Sequence, residues 1–291
     1  MATKKAASAK KTVKPSSAKQ TKTKVTTVKA VAADASPKAP VARARSKALT
    51  RGNAGSLNAY VAEFIGTFIL AAVAVLSQGQ PLFVGFALIA IVLTIGAISG
   101  SHVNPLITVG AWATRKIGGL RALGYVFAQV LGALAAFTVV KAFVNAAPEV
   151  DQQAQMYGQA AATMFEANAI PEGKEFFVFF AELLGAAVFG FAVSSAMRER
   201  RDRTAQAINV GLGLFVAITI AGVAVSYVGG SAVVNPALAF TLQAVSFTDA
   251  FNLWAVLSYL VAPLIGGVMG FFLYDVLRSN VTDDEALARE V

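Results

Sequence analysis

Ser99-Gly100-Ser101-His102-Val103-Asn104-Pro105 and Gly230-Ser231-Ala232-Val233-Val234-Asn235-Pro236 are two versions of one phrase. Each leads through small residues to an Asn-Pro pair and then into a short apolar segment, Pro105 to about Ala113 and Pro236 to about Ala244. Asn is a favoured helix N-cap and Pro a favoured first helical residue, so each pair predicts a helix start. Nine residues at 1.5 Å per residue span only about 14 Å, roughly half of a 30 Å hydrocarbon core. One Asn-Pro reads as well as an ordinary turn. Two at matching places, each opening a half-length helix, do not.

The surroundings are those of a membrane protein. Of 291 residues, 56% are hydrophobic and 14% charged, against about 25% charged in soluble domains. Six apolar stretches, near 57–76, 82–98, 120–144, 176–197, 206–228 and 251–277, each have the roughly 20 residues that a spanning helix needs. Runs this long without period-2 alternation predict helices, since lipid leaves no other partner for the backbone. Ala62-Glu63-Phe64-Ile65-Gly66 opens the first stretch and Ala181-Glu182-Leu183-Leu184-Gly185 the fourth. The halves are copies of three spans each, and an odd number of crossings inverts the second copy. The expected fold is therefore an all-α membrane protein with six transmembrane helices and two pore half-helices in an inverted 3+3 repeat. Repeat one covers 57–145 and repeat two 175–278, within a domain of 53–279. Inverted repeats place their sites near the bilayer midplane on broken helices, whose positive N-terminal ends here would meet.

Charge sets the orientation. Arg115, Lys116 and Arg121 follow span two, Arg198, Arg200, Arg201 and Arg203 follow span four, and Arg278 follows span six. The opposite connections are uncharged at 77–80, acidic at 145–175, and carry only Asp249 at 229–250. Of 25 Lys and Arg residues, 14 fall in 1–51 beside one acid, Asp34. The net charge of +9 thus belongs to the tail. The positive-inside rule places both termini in the cytoplasm, the plasma membrane being the expected location. Residues 1–52 read as a disordered basic cytosolic tail suited to anionic lipid rather than nucleic acid, with an acid-poor transit peptide as the alternative. Residues 280–291 read as a short acidic tail. No cysteine is present and His102 is the one histidine, so thiolate chemistry is excluded and no catalytic site, metal or cofactor is expected.

These residues resemble the aquaporin (major intrinsic protein) superfamily over about 57–278. The first signature is matched by Ser99 to Pro105 and the second, Asn-Pro-Ala, by Asn235-Pro236-Ala237. Ala128-Gln129, Gly132-Ala133, Pro263, Gly267 and Tyr274 also match. The resemblance implies a passive channel for water or small neutral solutes, assembled as a homotetramer with one pore per protomer. Leu106 replaces the family's first-motif Ala, and Leu238 stands where an Arg is usual; Ala239 replaces the Asp of glycerol facilitators. By family spacing the other filter positions fall on Val84, Val223 and Ala232, so the chain looks like an unorthodox member lacking the filter arginine. Glycerol, ammonia and hydrogen peroxide are candidate solutes.

Within this frame Asn104 and Asn235 are expected to aim N–H donors into the lumen, with carbonyls of 100–103 and 230–234 lining the rest. Carboxylates at membrane depth are functional by default, and Glu63 and Glu182 are expected to accept hydrogen bonds from the loops before the half-helices. His102 is expected to brace its loop, and Gln129 to bond between helices. Two rivals stay open: an ion- or proton-coupled transporter, and a non-conducting protein in which Leu106 and Leu238 close the pore and the basic tail recruits acidic partners.

Overall fold

The computed structural model describes residues 56–148, 150, 153, 156–158, 160–199, 201–246 and 251–279. The basic tail, the acidic tail, Arg200 and Asp249 lie outside these residues. The described chain is helical, and six helices are long and apolar enough to cross a membrane: α1 (Leu57–Leu76), α2 (Pro81–Ser99), α4 (Gly119–Asn145), α5 (Glu175–Ala196), α6 (Arg203–Ser226) and α8 (Leu253–Arg278). Between them lie the short helices α3 (Pro105–Ala113) and α7 (Leu238–Thr241). Helix α8 widens into a π-type turn at Leu257–Val261.

Local chemistry sets several ends. The Ser56 hydroxyl caps α1, accepting from the Ala59 amide. The Asp202 carboxylate caps α6 through the amides of Thr204 and Ala205. At the foot of α2, Gly100 takes a left-handed φ of 94° that stops the helix.

Packing repeats the sequence symmetry. Helix α1 packs on α2 and α4 as α5 packs on α6 and α8, and α2 meets α6 across the junction of the repeats. Small residues permit the approach: a Cβ on Gly132 would strike the Phe64 carbonyl, and one on Gly266 would strike the Leu183 carbonyl. Phe64 and Leu183 follow the two embedded acids, so corresponding positions make corresponding contacts. Without a hydrophobic drive between helices in lipid, such backbone proximity is a main source of cohesion.

The two half-helices differ. Helix α3 runs Pro105–Ala113, as the Asn-Pro reading anticipates. The second was expected to reach about Ala244, but regular helix covers only Leu238–Thr241 after a Pro236-Ala237 turn. Gln243 adopts a left-handed φ of 55°, and its side-chain amide donates to the Phe240 carbonyl at 2.7 Å, reversing the chain early. The Thr241 hydroxyl then anchors α7 by donating to the Ala133 carbonyl of α4 at 2.8 Å.

Candidate functional site: the junction of the two Asn-Pro loops

Loops entering a bilayer must find partners for their amides. In the first, the carboxylate of Glu63 on α1 accepts from the amides of His102 at 2.9 Å and Val103 at 2.7 Å. In the second, Glu182 on α5 accepts from the amides of Val233 and Val234. All four loop amides would otherwise be unpaired, and both acids are fully buried. Val103 and Val234 both hold positive φ, 41° and 52°. For a β-branched residue such a conformation costs about 1–3 kcal/mol and persists only where neighbours enforce it. The carboxylates are those neighbours, and the room comes from Gly66 and Gly185, where a Cβ would crowd the Val103 and Val234 side chains.

The strained valines turn their carbonyls toward the opposite loop. Asn104 Nδ2 donates to the Val234 carbonyl at 2.9 Å, and Asn235 Nδ2 donates to the Val103 carbonyl at 3.2 Å. Each Asn Oδ1 also accepts an amide two residues on, Leu106 N in one case, where Asn104 caps α3, and Ala237 N in the other, in the turn before α7, both at 3.0 Å. The carboxamides thus lock the repeats together. Each Nδ2 has two hydrogens, so one N–H per Asn is committed to the partner loop and one is left for a passing oxygen. The carbonyls of Val103 and Val234 likewise serve the lock rather than facing the lumen alone.

Around Glu63 the first loop is braced further. Gln129 Nε2 bridges Glu63 Oε2 at 2.8 Å and Thr108 Oγ1 at 2.9 Å. His102 Nδ1 lies 3.1 Å from Thr108 Oγ1, and its ring meets Tyr125 edge-on with centroids 5.3 Å apart. Arg121 and Tyr125 both donate to the Ser99 carbonyl at the end of α2. The second loop has a leaner brace, with Tyr259 Oη donating to the Ser231 carbonyl at 3.1 Å. Thr108, Tyr125 and Tyr259 carry no reading from the sequence, and Arg121 is read there only as a charge that sets the orientation. Thr108 had a readable signal, since a threonine four residues past a helix cap is placed to bond back to it, as it does to the Asn104 carbonyl.

The two motif departures part company. Leu106 is fully buried, and its backbone and side chain pack where a Cβ on Gly267 of α8 would sit. Its bulk is taken up by that notch rather than by the space between the loops. Leu238, at the start of α7, is also buried, as is Val84 on α2, while Ala232 is half-buried in the second loop. Val223 does not join them. It is 52% exposed, whereas the buried face of α6 carries Leu214, Ala217, Ala221 and Val225. Two residues along a helix is about 200° of rotation, so Val223 faces away from its buried neighbours on both sides.

Beside the first loop is a cavity of about 20 Å³, bordered by His102, Ser101, Phe189, Val193, Gln206 and Val210. That is room for about one water. On the opposite side, residues 167–170 fold over the second loop. Ala167 N donates to the Leu242 carbonyl at 2.7 Å, and Asn168 N donates to Ser231 Oγ at 2.9 Å. This cover lies in a segment without apolar periodicity and had no sequence signal.

The chain is similar to known proteins. The sequence model of the family described as Major intrinsic protein matches residues 51–274. Glycerol uptake facilitator protein-like 6 of Lactiplantibacillus plantarum is 31% identical over 233 residues, 76% of this chain and 98% of its own. Aquaporin Z of Bradyrhizobium diazoefficiens is 29% identical over 237 residues, 77% of this chain and 94% of its own. The X-ray structure of the aquaglyceroporin from Plasmodium falciparum superposes with a TM-score of 0.58 at 20% identity, covering 75% of this chain and 95% of that one.

Proposed function

The chain belongs to the major intrinsic protein family, and from that premise we propose that it conducts water and small uncharged solutes, among them glycerol, ammonia or hydrogen peroxide, by passive flow through the junction of its Asn-Pro loops. It is a multi-pass membrane channel of that family and not an enzyme. The observation that carries the solute reading is the reciprocal Asn104–Val234 and Asn235–Val103 bonding, which leaves one N–H on each carboxamide. A water or hydroxyl oxygen accepting from these donors is oriented away from its neighbours in a proton chain, and the N-terminal end of α3 disfavours cations at the same place.

Val84, Ala232 and Leu238 form the outer filter in this reading, without Val223. They offer no side-chain donor, and uncompensated desolvation of a polar group costs about 2–7 kcal/mol. The filter therefore favours less strongly hydrated neutral solutes, with ion exclusion resting on the asparagines. The coupled-transporter alternative is disfavoured because both embedded acids are held by loop amides. Both termini are assigned to the cytoplasm of the plasma membrane and the assembly to a homotetramer. The basic tail is assigned to anionic lipid.

Stopped-flow measurement on proteoliposomes, comparing water, glycerol, urea and ammonia with and without a proton gradient, tests the proposal. Solute flux indifferent to the gradient supports it. Gradient-driven uptake restores the transporter, and no flux for any solute establishes the closed, structural alternative.

A further inference from the structure

On the outside of the helix bundle, where the chain passes from α3 into α4, a basic cleft and an apolar groove follow one another down one helix. The cleft has a volume of about 410 Å³ and is walled by Trp112, Arg115, Lys116 and Arg121. Lys116 is engaged by Asp275 at 2.6 Å, and Arg121 by Tyr125 and the Ser99 carbonyl. The Arg115 side chain is exposed and has no hydrogen-bond or ion-pair partner among the described residues. Among the described residues no acid lines the cleft itself. At its floor α4 starts from Gly118 with no side-chain cap and no acid in the first turn.

The groove, about 420 Å³, is lined by Tyr60, Val61 and Phe64 of α1 and by Gly124, Phe127 and Leu131 of α4. Its α4 residues lie about 8–18 Å along the helix from Gly119, at 1.5 Å per residue, which is the depth of one leaflet's acyl region. The two spaces share a wall. Arg121 lies over the Tyr125 ring at 5.0 Å, and Tyr125 meets Tyr60 edge-on at 5.8 Å. Gly124 leaves the room that Tyr60 fills.

We propose that cleft and groove together form a binding site for one anionic phospholipid, its phosphate held by Arg115 and Arg121 and one acyl chain laid along Tyr60, Phe64, Phe127 and Leu131. Charge complementarity selects the headgroup, and Trp112, 51% exposed at the rim, is the amphipathic residue that suits the interfacial level. A soluble anion would find the cleft but would leave the groove empty, and a zwitterionic lipid would fill the groove while gaining little from the cleft.

The test is photo-crosslinking of the full-length protein in vesicles of three parts phosphatidylcholine to one part phosphatidylglycerol. A trace lipid carries a diazirine in its acyl chain and either a phosphoglycerol or a phosphocholine head. Labels are mapped by mass spectrometry on residues 57–64 and 120–131, with the exposed Ile208 and Leu212 of α6 as the reference. The expected result is about fivefold stronger labelling by the phosphoglycerol lipid at the two groove segments, the ratio that about 1 kcal/mol for one basic residue near anionic lipid, the unpaired Arg115, corresponds to. Arg115→Glu should bring this ratio to that of the reference segment, and Arg115→Lys should retain most of it. Equal headgroup ratios at groove and reference would assign anionic-lipid enrichment to the basic tail and overturn the site. A ratio insensitive to Arg115→Glu, or one abolished by millimolar inorganic phosphate, would overturn it as well.

Discussion

Replacing Glu63 by Ala tests the central claim that the embedded acids exist to hold the loops. Glu63 satisfies three donors, the amides of His102 and Val103 and the Gln129 side chain. Each buried donor left unpaired costs about 1–3 kcal/mol, so the expected loss is about 3–9 kcal/mol, less whatever water reaches the loop. Glu182 satisfies two amides, for which the same figure gives about 2–6 kcal/mol. Set against typical stabilities of about 5–15 kcal/mol, the first substitution threatens folding and the second weakens it. The loop also loses what enforces the left-handed φ of 41° at Val103, so it relaxes away from the geometry that presents the Val103 carbonyl to Asn235. The measurement is the fraction of purified protein that stays monodisperse after stepwise heating in detergent. The expected order is wild type, Glu63→Gln, Glu182→Ala, Glu63→Ala, with Gln intermediate because it keeps one acceptor oxygen but turns an NH₂ toward a donor. Unchanged heat resistance in both Ala variants, with a newly proton-dependent flux, would refute the reasoning and place the acids in a transport cycle.

Leu238→Arg puts charge and donors into the outer filter, and is expected to reduce glycerol relative to water permeability; unchanged ratios in stopped-flow assays would remove Leu238 from the filter. Leu106→Ala should destabilise by about 2–5 kcal/mol, as for a buried leucine truncation, without raising water flux. A large gain in flux would mean that the leucine obstructs the lumen. Val223→Ala should leave solute ratios unaltered where Val84→Ala widens the range, and the reverse pattern would return Val223 to the pore. Asp275→Asn breaks pairs with Lys116 and Arg198 whose members are partly exposed, so thermal stability should fall by less than about 1 kcal/mol per pair.

The spanning helices were readable because bilayer thickness fixes the length of an apolar run, and the six helices follow the six stretches to within a few residues at their ends. The inverted repeat was readable because the Ala-Glu and Asn-Pro motifs recur in the same order. Position inside an element was less readable. Placing Val223 by a fixed count back from Asn235 assumes one phase for the whole segment. The chain leaves helical geometry after Ser226, and the turn at Tyr227–Gly229 resets the register. The early end of α7 depends on a left-handed Gln243, a backbone state that composition does not announce. The Asn168 bridge lies in a connection with no periodicity to betray it.

The bonds at the centre join residues 130 and 132 positions apart in the chain, whereas Glu63 reaches amides only 39 and 40 positions away. Synthesis at about 5–20 residues per second therefore imposes an order. The first loop meets its carboxylate soon after both have left the ribosome, but Asn104 waits roughly 7–26 seconds for Val234 to be made. During that interval the Asn104 carboxamide is without its partner carbonyl. Translation of the second repeat closes the seam between the repeats, so a ribosome stalled between α5 and α6 would leave Asn104 without the Val234 carbonyl that holds it.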